Sequence, residues 1–395
     1  MALTPYRVHA TGPRNVLAVL TALAIVLGSG AAMLGQTRPR ARALGVPFTG
    51  TPGPLNAITD VPGVEVGHAT VVRGDGPLVV GQGPVRTGVT AVLPRGKRWS
   101  PVFAGWFAGN GFGEMTGAPW VVEGGVLGGP VMITGTYSVG VVRDAVNSWF
   151  HESLKQEIPW HQPVVGETSD AFLNDGQGQH VTKAHAFAAL DGARAGAVAE
   201  GNVGGGTGMV AHGFKGGIGT SSRVTGGHTV GVLVQANYGT RASLTIAGVP
   251  VGREITGAER RRAPAPPADR DGSIIVVVAT DAPLLPHQLE RLARRVPMGI
   301  ARLGGTASNG SGDIFIAFST ANPGAAADTG ATALTWLPNG DLTPFFDATV
   351  EATEEAIVNA LVAADTMTGV NGNTAYALPH DQVRALLRKY GRLAR

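Results

Sequence analysis

The chain has 395 residues, 44% of them hydrophobic and 15% charged, with a net charge of +3 and no cysteine. That length suffices for one large domain or two ordinary ones. The lack of cysteine excludes disulfides, thiolate catalysis and cysteine-ligated zinc, and so mild and scattered a positive charge argues against nucleic acid as a partner.

Near the start, Arg7 and Arg14 precede an uncharged apolar stretch, 16–34, which closes on small residues (GSGAA) and runs into the polar TRPRARALG. A spanning helix needs about 20 apolar residues, whereas an export signal has a shorter core with small residues near its end. The pattern reads as an export signal, with a retained membrane anchor at 16–34 as the alternative. Residues 1–44 are thus a targeting segment plus linker, and the rest is expected in the periplasm or secreted. A single domain is expected over 45–395. Stretches 64–72, 88–94 and 129–142 have the β-branched content of strands bounded by Gly and Pro, and 142–154 has helical spacing. The continuous apolar runs 229–239 and 273–280 predict strands buried on both faces, with 314–320 as another strand. Amphipathic helices are predicted over 284–295, 348–365 and 381–391. Buried strands flanked by helices imply a layered α/β sandwich. One segment fits no core: 254–272 carries Arg260, Arg261, Arg262, Pro264, Pro266, Pro267 and Asp271. A long irregular loop of this kind is either functional or a tolerated surface excursion.

The common hydrolase signatures are missing. Ser311 stands in Asn309-Gly310-Ser311-Gly312, without the first glycine of a nucleophile elbow. His161, His180, His185 and His212 lack ligand spacing, so no metal site is expected. The glycine run 201–209 (GNVGGGTGM) lacks the lysine of a phosphate loop and reads as a turn that lets backbones approach closely. What remains is the junction Gly272-Ser273, where the charged loop meets a buried strand. Cut there, the chain would expose a new α-amino group of reference pKa about 7.7–8.0 beside the Ser273 hydroxyl, so nucleophile and general base would sit in one residue. Taken alone, Gly-Ser before a strand is more often only a turn.

Several segments extend that reading: 54–71 (PLNAITDVPGVEVGHATV), 129–140, 163–175 (PVVGETSDAFLND), 201–209, 232–239 (VLVQANYG), 272–295, 309–322 (NGSGDIFIAFSTAN) and 352–361. In these and their order the chain resembles the P1 family of self-processing serine aminopeptidases, which includes the L-aminopeptidase/D-amino-acid esterase-amidase and the β-peptidyl aminopeptidases. The resemblance implies a four-layer αββα sandwich of the N-terminal-nucleophile hydrolase kind. It implies a precursor cut into an α chain ending at Gly272 and a β chain beginning at Ser273, and a homo-oligomer of such αβ heterodimers. It makes Ser273 the nucleophile, assigns Ser311 and Asp313 to orienting and activating it, Asn237 to the oxyanion, and Glu167 to the substrate's amino group, with Tyr137 lining the pocket. No metal or organic cofactor is implied. The substrate would be a small peptide, amide or ester with a free amino terminus. Read without the resemblance, Ser311 is a strand-entry turn, Asp313 caps or pairs on the surface, Asn237 is a turn residue after a strand, and Glu167 is a solvated loop acid. One position departs from the pattern: Ser169 follows Glu167-Thr168 where a bulky aromatic is expected. Two rivals stand beside this reading, an acyltransferase on the same fold and an unprocessed, non-catalytic envelope or binding protein.

Overall fold

Alternation along strand 273–280 sets the architecture. Ile274, Val276 and Val278 belong to one hydrophobic core, and Ile275, Val277 and Ala279 to another, as the period of two requires of a strand covered on both sides. The computed structural model describes residues 39–258 and 272–394, apart from 326 and 328. The apolar stretch 16–34 and most of the charged loop lie outside the described residues.

In chain order the strands are β1 (Glu65–Arg73), β2 (Val85–Leu93), β3 (Val102–Gly111), β4 (Val126–Leu127), β5 (Val131–Gly135), β6 (Val164–Thr168), the short ribbon β7 (Val210–Ala211) and β8 (Phe214–Lys215), β9 (Gly217–Thr225), β10 (His228–Asn237), β11 (Ser273–Thr280) and β12 (Gly312–Ser319). The helices are α1 (Ala118–Gly124), α2 (Val139–Glu152), α3 (Lys183–Asp191), α4 (Val251–Glu254), α5 (Pro286–Ala293), α6 (Val296–Arg302), α7 (Thr343–Val362) and α8 (His380–Lys389). One sheet has the order β1-β2-β5-β6, the other β4-β3-β12-β11-β10-β9. Between them Val92, Ile133 and Val164 meet Leu233, Ile275 and Ile316. The outer face of the smaller sheet is covered by Val146, Trp149 and Phe150 of α2 and Leu190 of α3. Leu289 of α5, Ile300 of α6, Ile357 of α7 and Leu387 of α8 cover the larger sheet. The result is the four-layer αββα sandwich.

Local differences from the sequence reading have physical causes. The strand expected over 129–142 stops at Gly135. Thr136–Ser138 form a tight turn and α2 starts at Val139. Val142 and Val146 are buried at helical spacing with Trp149 and Phe150, so β-branched content misled where periodicity did not. Packing also begins before residue 45. Ala41 and Leu44 are buried, and Arg42 makes a paired contact with Glu355 (2.7 and 2.8 Å). The glycine run 201–209 threads between the sheets. A Cβ on Gly205 would lie 2.2 Å from Gln235 Oε1, and one on Gly206 2.5 Å from the Ile218 nitrogen. Only glycine fits there, which is the close approach that the sequence suggests.

Candidate active site

Ser273 opens β11, a central strand paired antiparallel with β10 and parallel with β12. That register sets Asn237 directly across from Ser273 and Asp313 beside Ile274. Sequence positions far apart are thus brought together by ordinary strand pairing. The Ser273 Oγ accepts a hydrogen bond from the Gly312 N–H at 3.1 Å. The Ser311 hydroxyl lies at the Gly272 carbonyl oxygen and 2.6 Å from Asp313 Oδ1. Ser273, Ser311 and Asp313 are all buried. The residue before the junction has no room for a side chain. A Cβ on Gly272 would fall 1.6 Å from the Asn237 carbonyl oxygen and 3.0 Å from Asn237 Nδ2.

Asn237 is held at both ends of its amide. Its Oδ1 accepts from the Val210 N–H at 2.8 Å, and its Nδ2 donates to the Ser169 carbonyl at 3.0 Å. An amide nitrogen carries two hydrogens, so a second donor remains beside Gly272. The departure at Ser169 therefore touches the site through its backbone.

Glu167 lies on β6, in the sheet facing Ser273. Its Oε1 accepts from the Glu114 N–H at 3.0 Å and its Oε2 from the Thr136 hydroxyl. Gly113 bridges the gap to the junction, since a Cβ there would be 3.0 Å from the Gly312 Cα and 3.3 Å from Glu167 Oε1. Burial pushes the Glu167 carboxyl above its usual range, and the bonds from Thr136 and Glu114 oppose this. Tyr137 stands beside Thr136 and is 52% exposed, facing Gly176.

Three residues near the site carry no signal that the sequence reading used. Asp170, three residues after Glu167, is buried and pushed up to about 6 by desolvation, against hydrogen bonds from Thr87 and Asn174. Thr136 holds Glu167. Asn110 of β3 donates to the Ser311 and Asn309 carbonyls and so fixes the turn that carries Ser311. Asp170 was within reach of sequence reasoning, since it shares the stretch ETSD with Glu167. The four histidines named above lie elsewhere. His161 packs on Trp99 and Phe150, His180 bonds Asp175, His185 caps α3, and His212 packs on Tyr238. Among the described residues no group of three His, Asp or Glu is placed to hold a metal.

A serine at the head of a central strand, in an αββα sandwich, defines a hydrolase with the N-terminal-nucleophile fold. Residues 56–375 match the model of peptidase family S58, and the chain belongs to that family. It is 56% identical over 371 residues to the β-peptidyl aminopeptidase BapA of Sphingosinicella microcystinivorans, covering 90% of this chain and 93% of that protein. It is 49% identical over 398 residues to the BapA of Sphingosinicella xenopeptidilytica, covering 95% and 96%. Among solved structures it resembles the L-aminopeptidase D-Ala-esterase/amidase of Ochrobactrum anthropi, a serine aminopeptidase with a variant of the Ntn hydrolase fold. The TM-score is 0.83 at 46% identity, over 90% of this chain and all of that one. A β-aminopeptidase of Burkholderia sp. gives 0.80 at 46% identity, over 89% and 99%. The chain is a hydrolase of the serine aminopeptidase class.

Proposed function

We propose that this aminopeptidase makes its own nucleophile by cutting the Gly272–Ser273 bond, and that it then removes N-terminal residues from small peptides through an ester on Ser273. The observation that carries the reading is the uncut junction itself: a hydroxyl, from Ser311, lies at the Gly272 carbonyl oxygen while Gly312 holds the Ser273 Oγ. In the cut, Ser273 Oγ attacks the Gly272 carbonyl carbon. The hydroxyl proton passes to the Ser273 nitrogen as the C–N bond breaks, and an ester forms. Water hydrolyses the ester, leaving a Gly272 carboxylate and a Ser273 with free hydroxyl and α-amine. In turnover that amine takes the hydroxyl proton, Oγ attacks the substrate carbonyl, and the leaving amine receives the proton. Water then enters by the same route and frees the acid.

Asn237, beside Gly272, is the oxyanion donor in this scheme, a role typically worth about 2.7–4 kcal/mol of barrier. Ser311 and Asp313 orient the serine and its amine. Glu167 receives the substrate's ammonium, and Tyr137 lines the mouth. The likeness to β-peptidyl aminopeptidases supports peptides with an N-terminal β-amino residue as substrates, with amides and esters also cleaved. The basic, apolar and small-residue order of 1–44 supports export. Among the described residues no helix is long and apolar enough to cross a membrane. The exposed apolar tip Leu78, Val79 and Val80 supports an oligomer of αβ units. Intact-mass measurement tests the core of the proposal: purified protein should contain a chain beginning at Ser273, and an active enzyme that stays one chain would overturn it.

A further inference from the structure

Asp170 follows β6 and is buried. Its Oδ1 accepts from Asn174 Nδ2 at 3.0 Å, whereas Oδ2 is buried and among the described residues has no hydrogen-bond partner. That unpartnered oxygen lies against the end of β5, since a Cβ on Gly135 would be 2.4 Å from it. The next residue, Thr136, donates to Glu167 Oε2. Asp170 and Glu167 thus meet the same short stretch of backbone. A buried carboxylate oxygen without a donor is costly to charge, and nothing in the catalytic scheme above uses it.

We propose that Asp170 is a second, buried charge of the ammonium site: ionised, it adds its field to that of Glu167 and tightens the hold on a substrate's ammonium, and protonated, it leaves Glu167 to act alone. The proposal rests on the reading of Glu167 as the ammonium's partner and deepens it. Asp170 is a positioning residue, because its buried carboxyl works alongside Glu167 and not by touching substrate. Neutral groups face it from most sides. β2 brings Thr87, whose neighbour Arg86 directs its guanidinium to Asp75 and to backbone carbonyls. The turn that follows brings Asn174 and Gly176, with Asp175 between them bonded to His180. β5 brings Gly135, and the glycine run brings Gly208. Burial raises the Asp170 carboxyl to about 6, and the charge of Glu167 adds to the rise. Two acids so placed lose their protons in separate steps, the lower mainly that of Glu167 and the upper mainly that of Asp170. A bound cation favours the charged form of both. Its affinity therefore rises with pH through each step and levels off once both are ionised.

The test is the inhibition constant of n-propylamine, an ammonium throughout the range used, against hydrolysis of β-alanine p-nitroanilide by the processed enzyme from about pH 5 to 7.5. In the wild type the constant should fall by about three- to tenfold across the upper step, near pH 6. Asp170→Asn keeps the shape and removes the charge. It should still cut itself, match the wild type near the acid end, and bind propylamine about three- to tenfold more weakly at the alkaline end. Asn174→Ala leaves Asp170 in place and removes the donor to its Oδ1, so the upper step should move up by about one pH unit. An Asp170→Asn constant that superposes on the wild type at every pH would overturn the inference. So would one weaker by the same factor throughout, as a loosened fold would make it, or an Asn174→Ala step that stays in place. Wild-type enzyme inhibited no better by propylamine than by n-propanol would instead overturn the assignment of Glu167 itself.

Discussion

Two buried carboxylates, Glu167 on one sheet and Asp313 on the strand beside Ser273 in the other, differ in their surroundings. Glu167, on the facing sheet, has a donor on each oxygen: a backbone N–H from Glu114 and a hydroxyl from Thr136. Those bonds favour the anion, which an ammonium partner needs, against the burial that raises the carboxyl. Asp313, at the strand end behind the serine, meets a hydroxyl that is itself shared with a carbonyl. That geometry suits an acid that passes a hydrogen bond onward. The same side-chain chemistry thus meets a fixed donor on each oxygen in one place and a shared hydroxyl in the other.

The sharpest test of this division removes the serine that both acids are proposed to serve. Ser273→Ala should remain a single chain and lose at least about a thousandfold in kcat/KM; a processed, active variant refutes the nucleophile. Next, Glu167→Gln should break one side only. It should still cut itself, because the cut involves no substrate amine, yet lose on the order of ten- to a hundredfold on free dipeptide amides. N-acetylated substrates should show the same loss in the wild type. Equal wild-type rates on free and acetylated substrates would remove Glu167 from the ammonium site. On the chemical side, the acidic limb of kcat/KM should lie near the amine range of about 7.7–8.0, and a limb near 4 would rule out the α-amine as base. The smallest effect is on stability. Asp170 is raised to about 6 in the folded protein, so its neutral form is favoured. The Asp170 contribution to stability should be fullest below about pH 4, fall as pH rises to about 6 and level off above, by roughly 3 kcal/mol. Asp170→Asn should flatten that fall and melt higher than wild type at pH 7–8. A variant with the same melting profile would show that Asp170 ionises without cost.

Where burial and periodicity agreed, the fold was legible. The run 273–280 is β11 residue for residue, and the helix expected over 348–365 falls on α7, which starts five residues earlier and ends at Val362. Strand β9 (GIGTSSRVT) was not legible, because its buried face is polar. Thr220 donates to the Val232 carbonyl, Ser221 to the Ala352 carbonyl and Ser222 to Asp60, while Arg223 reaches Glu355. Hydrogen bonds replace apolar contact there, and a hydrophobic pattern has nothing to report. The site divides in the same way. Ser273, Ser311, Asp313 and Asn237 could be named from the resemblance, but the pairing that joins them belongs to the register of β10, β11 and β12. Asn110 and Tyr238 owe their positions near the junction to the sheet and carry no motif.

The strand order of the larger sheet has a consequence for the proposed cut. If the chain is cut before Ser273, the order β4-β3-β12-β11-β10-β9 reads as two strands from the first piece, two from the second, and two from the first again. The second piece is held on both flanks by backbone hydrogen bonds to the first. Neither can leave without opening the middle of the sheet, so the product should stay whole at any dilution on working timescales. Its unfolding, however, would be close to irreversible. The precursor folds as one molecule, whereas two separated pieces must first meet, and the cut erases the connection that made folding unimolecular. Such an enzyme is held together by kinetics and keeps a shape that its two chains would have difficulty finding again.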